Sequence, residues 1–305
     1  MFTKKLLPVL LFGIASLGFV GCSSSDDSGD SQNTGVDFTK GAFKQKVLIE
    51  DITSASCVWC PLGSFTIEEL EKSEYKDKVI GVGVHGDFNP QMVKDPFVLP
   101  GINNLMNAVN LKGWPHLSFN RNKTIAGTAF QTFIPKRNNG TEVQYTFDAN
   151  LFKNFYTKNK LISEGSPIGI KIESNLTATS GKVDVSLKFS QNINQELKYV
   201  IYILEDGLVF QQANASSLYG NNTGQGRWEM NFVHDHVVRA TNNFLGESIA
   251  AGQTTSKEFK ASANLTYKTE NLAKTSVVVA VLDKDGNVVN AQKAKANTTL
   301  DYEKK

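Results

Sequence analysis

The 305-residue chain has almost no surplus of charge: 32 basic residues stand against 30 acidic ones, a formal net charge of +2. Binding along a phosphate backbone needs a clustered cationic excess, so nothing here points to nucleic acid. Long apolar runs are scarce too. The run at residues 6–20 follows Lys4 and Lys5 and ends at Gly21-Cys22, short of the roughly 20 residues that a membrane-spanning helix requires. It reads as a secretory signal instead. Cysteine is rarer still, at three, and histidine occurs only four times.

The first cysteine belongs to the export segment. Phe19-Val20-Gly21-Cys22 resembles a bacterial lipobox, with Phe19 where leucine is usual. Residues 1–21 are therefore expected to be removed and Cys22 to be acylated, with palmitate as the expected acyl group, giving a lipid anchor in the outer membrane. Loss of Lys4 and Lys5 leaves 30 bases against 30 acids. Residues 22–40 form the lipidated tether; their core, SSSDDSGDSQNTG, has too little apolar surface to fold. Asp26 and Asp27 close behind Cys22 resemble a surface-transport signal of Bacteroidetes-type lipoproteins, against the alternative of a solvated spacer on the periplasmic side.

With Cys22 acylated, Cys57 and Cys60 are the remaining thiols, in a compartment that permits disulfides. They follow the apolar stretch Val47-Leu48-Ile49 and precede Pro61, so a C-x-x-C pair stands where a strand hands over to a helix. This resembles a thioredoxin-like site. A helix beginning at Cys57 would aim its free N–H groups at that sulfur and favour the thiolate. Cys57 is then expected to be the exposed attacking sulfur and Cys60 the buried resolving one. Asp51 is either a buried proton acceptor beneath the pair or an edge residue in water, and Glu50 is the competing acid.

The rest of residues 41–163 fits the same arrangement. Residues 78–85 read as a buried strand parallel to the first, which puts His85 at the same sheet edge as Cys57, either as a proton relay or as a locally satisfied strand-end histidine. Ile102, Leu105, Met106 and Val109 mark a helix with one buried stripe. Gly113-Trp114-Pro115-His116 resembles the thioredoxin cis-proline segment, which implies a cis Trp114-Pro115 bond near Cys57, Trp114 and Pro115 as substrate-positioning residues, and His116 as a secondary candidate. A helix over 148–161 closes this part.

From residue 166 the texture turns to period-two alternation, as in Ile168, Ile170, Ile172 and Val183, Val185, Leu187, Phe189, which predicts a β-sandwich over 166–303. Asp283-Lys284-Asp285-Gly286-Asn287 lacks the twelfth-position glutamate of a calcium loop, Ala294 standing there, and reads as a hairpin turn. His234 and His236, two apart on an expected strand, are weak metal candidates with no third ligand in sight. Residues 211–231 read as a long loop in which Tyr219 and Trp228 either form a binding platform or pack into the sandwich.

Together the lipobox, Glu50-Asp51-Ile52-Thr53 ahead of Cys57-Val58-Trp59-Cys60-Pro61, Gly113-Trp114-Pro115, Leu204-Glu205-Asp206 and His234-Asp235-His236-Val237-Val238-Arg239 resemble the outer-membrane-protein-twenty-eight-related lipoproteins of Bacteroidetes. The resemblance implies an α/β plus all-β chain, with a thioredoxin-like domain followed by a C-terminal immunoglobulin-like β-sandwich, at the cell surface or outer membrane. Two functions follow. One is thiol-disulfide exchange on extracytoplasmic proteins, without a cofactor; the other is a non-catalytic surface binding or adhesion module whose disulfide is structural.

Overall fold

The computed structural model describes residues 36–139, 142–161, 163–220 and 227–305; the signal segment, Cys22, Asp26 and Asp27 lie outside them. The apolar run at Val47–Thr53 forms β1. Pro61 opens α1 (Pro61–Lys72), where its missing N–H is not needed and its φ is already helical. The helix thus starts at Pro61 rather than at Cys57, and residues 57–60 form turns in which the Cys60 N–H donates to the Cys57 carbonyl at 3.2 Å. After this crossover β2 (Val79–His85) runs parallel to β1, from Val47 beside Val79 to Thr53 beside His85. Then come α2 (Ile102–Ala108) and β3 (His116–Phe119), antiparallel to β1. A small hairpin, β4 (Lys136–Asn139) and β5 (Glu142–Tyr145), precedes α3 (Ala149–Lys158). The Asp148 carboxylate caps α3 by accepting the Asn150 and Leu151 N–H groups at 3.0 Å.

Strands dominate thereafter: β6 (Ile168–Leu176), β7 (Ser180–Phe189), β8 (Leu197–Glu205), β9 (Leu208–Asn214), β10 (Arg227–His234) and β11 (Val237–Thr241). They are followed by β12 (Glu247–Ile249), β13 (Phe259–Thr266), β14 (Thr275–Leu282), β15 (Val288–Lys295) and β16 (Thr299–Leu300). Asp283 closes the β14–β15 turn, accepting the Asp285 and Asn287 N–H groups at 2.9 Å, and Gly286 supplies φ 85°. Residues 208–214 and 227–234 pair as a hairpin, so much of the expected 211–231 loop is sheet. Its Ala213 and Asn214 are of types depleted in strands generally, which hides it from propensity.

One eight-stranded sheet carries the order β15-β14-β8-β11-β2-β1-β3, with β12 added at β8. Its two halves join at β11, which pairs with β8 on one side and, through Val237 beside Gly83, with β2 on the other. A four-stranded sheet, β13-β7-β6-β16, packs on the C-terminal part. Alternation sorts the residues. Ile201, Ile203, Val277 and Val279 face Ile168, Ile170, Val183 and Val185 of the smaller sheet. Val200, Tyr202, Leu204 and Val278 turn the other way, towards Leu48, Ile52, Ile80 and Leu105. On the opposite face of β1, Val47 and Ile49 pack with Leu62, Ile67 and Leu70 of α1 and Phe152 of α3. The fold is mostly β, and Val36–Lys305 forms one compact unit. Among the described residues no helix is long and apolar enough to cross a membrane.

Candidate functional site

β1 sends two adjacent acids to opposite faces, because side chains alternate along a strand. Glu50 falls with Leu48 and Ile52. There it is fully buried and committed to Arg121, whose Nε donates to Oε2 at 2.9 Å and Nη2 to Oε1 at 2.7 Å, and to Tyr202, whose hydroxyl donates to Oε1 at 2.6 Å. This charge-assisted network ties the first half of the chain to β8. It leaves Glu50 on the face away from α1, occupied by other partners.

Asp51 lies on the α1 side. Gly63 makes room for it, since a Cβ there would stand 2.7 Å from both carboxyl oxygens. Oδ1 has no hydrogen-bond partner. Burial pushes the carboxyl up to about 8, against the opposing pull of His236. The expectation that left Asp51 between the interior and an exposed edge thus resolves to the interior.

Cys57 and Cys60 form a disulfide, with Cα atoms 5.3 Å apart. At 2% and 1% exposure both are buried, so the expected contrast between an exposed Cys57 and a buried Cys60 is absent in this oxidised state. The cover comes from β9, in the second half of the sequence. The Ala213 N–H donates to the Ala55 carbonyl at 2.9 Å and the Ala215 N–H to that of Val58 at 2.7 Å. Between them the Gln212 amide donates to the carbonyls of Ser54 at 3.2 Å and Cys57 at 3.0 Å. On the other side Asp95 accepts the Ala55 N–H at 2.7 Å and holds His85 Nδ1, also at 2.7 Å. His85 is therefore buried and engaged with Asp95.

The Trp114-Pro115 peptide is cis. Trp114 joins Trp59, Leu62, Phe130, Ile134 and Tyr145 around a cleft of about 370 Å³. Trp59, between the two cysteines, is 42% exposed and is the most open part of the turn. His116 is buried on β3, and burial lowers its pKa.

The two-residue spacing of His234 and His236 does not aim them at one metal. β10 ends at His234, and His236, at φ 58°, sits in the turn before β11. His236 Nε2 lies 3.2 Å from Glu71 and Nδ1 3.2 Å from Asp206. Burial works to lower its pKa, but the bonds to Asp206 and Glu71 prevail and raise it to about 9. Among the described residues no cluster of three or more His, Cys, Asp or Glu side chains has the geometry to hold a metal. Tyr219 turns inwards, its hydroxyl donating to Glu68 of α1 at 2.6 Å, while Trp228 is half-buried on β10; residues 221–226 of that segment lie outside the described residues.

Gln212, Asp95 and Arg121 escaped the sequence reading. Gln212 sat in an apparent polar loop, Asp95 in a segment without periodicity, and Arg121 in a turn whose partner Glu50 is distant in sequence. Only the presence of acids in an otherwise apolar strand signalled that buried partners were needed somewhere.

HBP35 of Porphyromonas gingivalis shares the fold, with a TM-score of 0.56 over 85% of this chain and 77% of that chain at 18% identity, a likeness of fold alone. A beta-glucosidase from Kluyveromyces marxianus aligns with a TM-score of 0.20 at 14% identity, over 49% of this chain and 17% of that one, and carries no argument. No curated protein matches the chain. The model of the family described as outer membrane protein Omp28 matches residues 102–300, which takes in Trp114-Pro115, β8 and the His234–Arg239 motif but begins after the cysteines. On that match, which spans well over half of its length, the chain belongs to the Omp28 family of outer membrane proteins.

Proposed function

We propose that this chain is an outer-membrane lipoprotein that exchanges thiols and disulfides with extracytoplasmic proteins, through a thioredoxin-like portion at residues 41–163 carried on an immunoglobulin-like sandwich at 166–303. The observation that carries the reading is the Cys57–Cys60 disulfide at the β1–α1 junction, with a buried Asp51, whose Oδ1 lacks a partner, on the α1 face of β1. In the reduced form the Cys57 thiolate attacks a substrate disulfide, and one substrate sulfur leaves as thiolate. Cys60 then gives its proton to the Asp51 carboxylate and attacks Cys57, which breaks the mixed disulfide and releases the second substrate sulfur. Two electrons pass to the substrate, whose two sulfurs leave as thiolates; one takes up the proton that Cys60 passed to Asp51 and the other takes one from water, and the protein is left as the disulfide. The cleft between Trp59 and Trp114 receives the substrate beside the reacting sulfurs. Family membership supports the outer membrane as the location, and acylation of Cys22 supplies the anchor. Asp26 and Asp27 favour the external face; added protease on intact cells should then cleave the protein, and full protection retracts that placement.

A second reading has its own support: both sulfurs are buried beneath β9, as a structural staple in a surface-binding module requires. The reduction potential decides between them, measured on the chain from Ser23 onward by alkylation and mass across a glutathione series. A value above about −230 mV places the pair among exchange catalysts, and one below about −300 mV makes it a staple.

A further inference from the structure

Under α1, the side chains of Asp51, Thr53, Ser64, His234 and His236 surround a chamber of about 20 Å³. Gly63 and Gly83 keep it clear: a Cβ on Gly63 would strike Asp51, and one on Gly83 would press on the Asp235 carbonyl at 3.3 Å. The space is about that of one water molecule, which needs at least two polar partners to be held. Two buried atoms there lack a protein partner: Asp51 Oδ1 and His234 Nε2.

The state of each atom is set by its surroundings. The His234 ring stands among Phe97, Phe232 and His85, at centroid distances of 5.3, 4.8 and 5.2 Å. Burial lowers its pKa to about 3, so the ring is neutral. It hydrogen-bonds the Phe210 backbone. With Nε2 unpartnered, that bond runs from Nδ1–H to the carbonyl, and Nε2 is left as a lone pair. The other charged groups packed around the chamber have partners. On α1, Glu71 pairs with His236 and Glu68 accepts from Tyr219; His236 also holds Asp206 and faces Lys293 of β15 at 3.4 Å. From β2, His85 is paired with Asp95, and Asp235 accepts the Gly207 N–H at 2.7 Å.

We propose that the chamber is a single-water site bridging Asp51 to His234, and that His234, supplied by the second half of the chain, is a positioning residue acting through that water on the proton of Asp51. When Asp51 is protonated, its O–H donates to the water and the water donates to Nε2. When Asp51 is ionised, the water turns to donate to both the carboxylate and Nε2. One molecule thus serves both states without placing a proton on His234, and half-buried Ser64 and Glu68 at the rim lead outward. The coupling rests on the chamber and on the neutral, buried His234 ring; its catalytic consequence rests on the exchange reading above, since the proton on Asp51 is the one that Cys60 gives up.

The test separates the two. In the full-length oxidised chain labelled with carbon-13 at the aspartate carboxyl carbons, the Asp51 signal is assigned by its loss in Asp51→Asn and followed against pH. It should titrate near pH 8. His234→Leu, which takes away the acceptor, should move that midpoint up by about one unit or more, and His234→Gln, which restores an acceptor, should return it most of the way. In the unmutated chain a long-lived water should also show cross-relaxation with the His234 Hε1 proton, a result that needs no variant to fold. Unmoved midpoints in both variants, or no such water, overturn the proposal whatever the redox behaviour. If the midpoint moves but the pH profile of exchange with dithiothreitol does not follow it, the coupling stands and the exchange reading is overturned.

Discussion

Asp51 is buried as an acid, and its effect on stability has a definite sign. The carboxyl titrates near 8 in the fold against 3.8 when free, so between those values the folded chain holds a proton that the unfolded chain has lost. Stability therefore falls as pH rises through that window. Asp51→Asn removes this slope: the variant should match the unmutated chain near pH 4 and exceed it near pH 8 by a few kcal/mol, read from urea midpoints. An equal difference at both pH values contradicts a raised pKa. Glu50, by contrast, is held by a buried cation, Arg121, at 2.7 Å. Arg121→Leu strands a buried carboxylate and should cost about 3–5 kcal/mol, while adding Glu50→Leu should recover much of it. The alternation that separates the two acids is visible in the sequence. The identity of the partners is not, since Arg121 is 71 positions from Glu50 and Tyr202 is 152.

Among the elements, α2 was readable because a helix with one buried stripe writes its contacts into local spacing. β9 was not, because its polar residues are spent on another part of the chain. The Gln212 side chain donates to the carbonyls of Ser54, Cys57 and Ala213, and a residue used in this way resembles a loop residue in every local property. Its removal should loosen the cover over the disulfide while the strand pairing of the hairpin remains. With neutral hydrogen bonds worth about 1 kcal/mol each, Gln212→Ala should speed reduction of Cys57–Cys60 by dithiothreitol about tenfold, measured by quenched alkylation and mass. An unchanged rate means that β9 does not control access to the sulfurs.

At the scale of the whole molecule, the change of texture near residue 166 is real, yet the large sheet continues across it. The missed signal lies in β8 and β14. Their runs, LKYVIYILE and TSVVVAVL, hardly alternate, which is the pattern of strands buried on both faces. One face makes the sandwich core, and the other supplies Val200, Tyr202 and Val278 to the core under β1 and β2. The first half therefore depends on the second for a face of its core, for the hydroxyl on Glu50, and for the cover over Cys57. Such sharing makes folding cooperative. Unfolding of the described unit should be a single transition, with the signal of Trp59 and Trp114 and the far-ultraviolet signal changing together. Val278→Ala, on β14, should shift both midpoints equally and cost about 2–4 kcal/mol. If the tryptophan signal keeps its midpoint while the far-ultraviolet signal moves, the halves fold independently, and the cover over the disulfide is a contact between two domains rather than part of one fold.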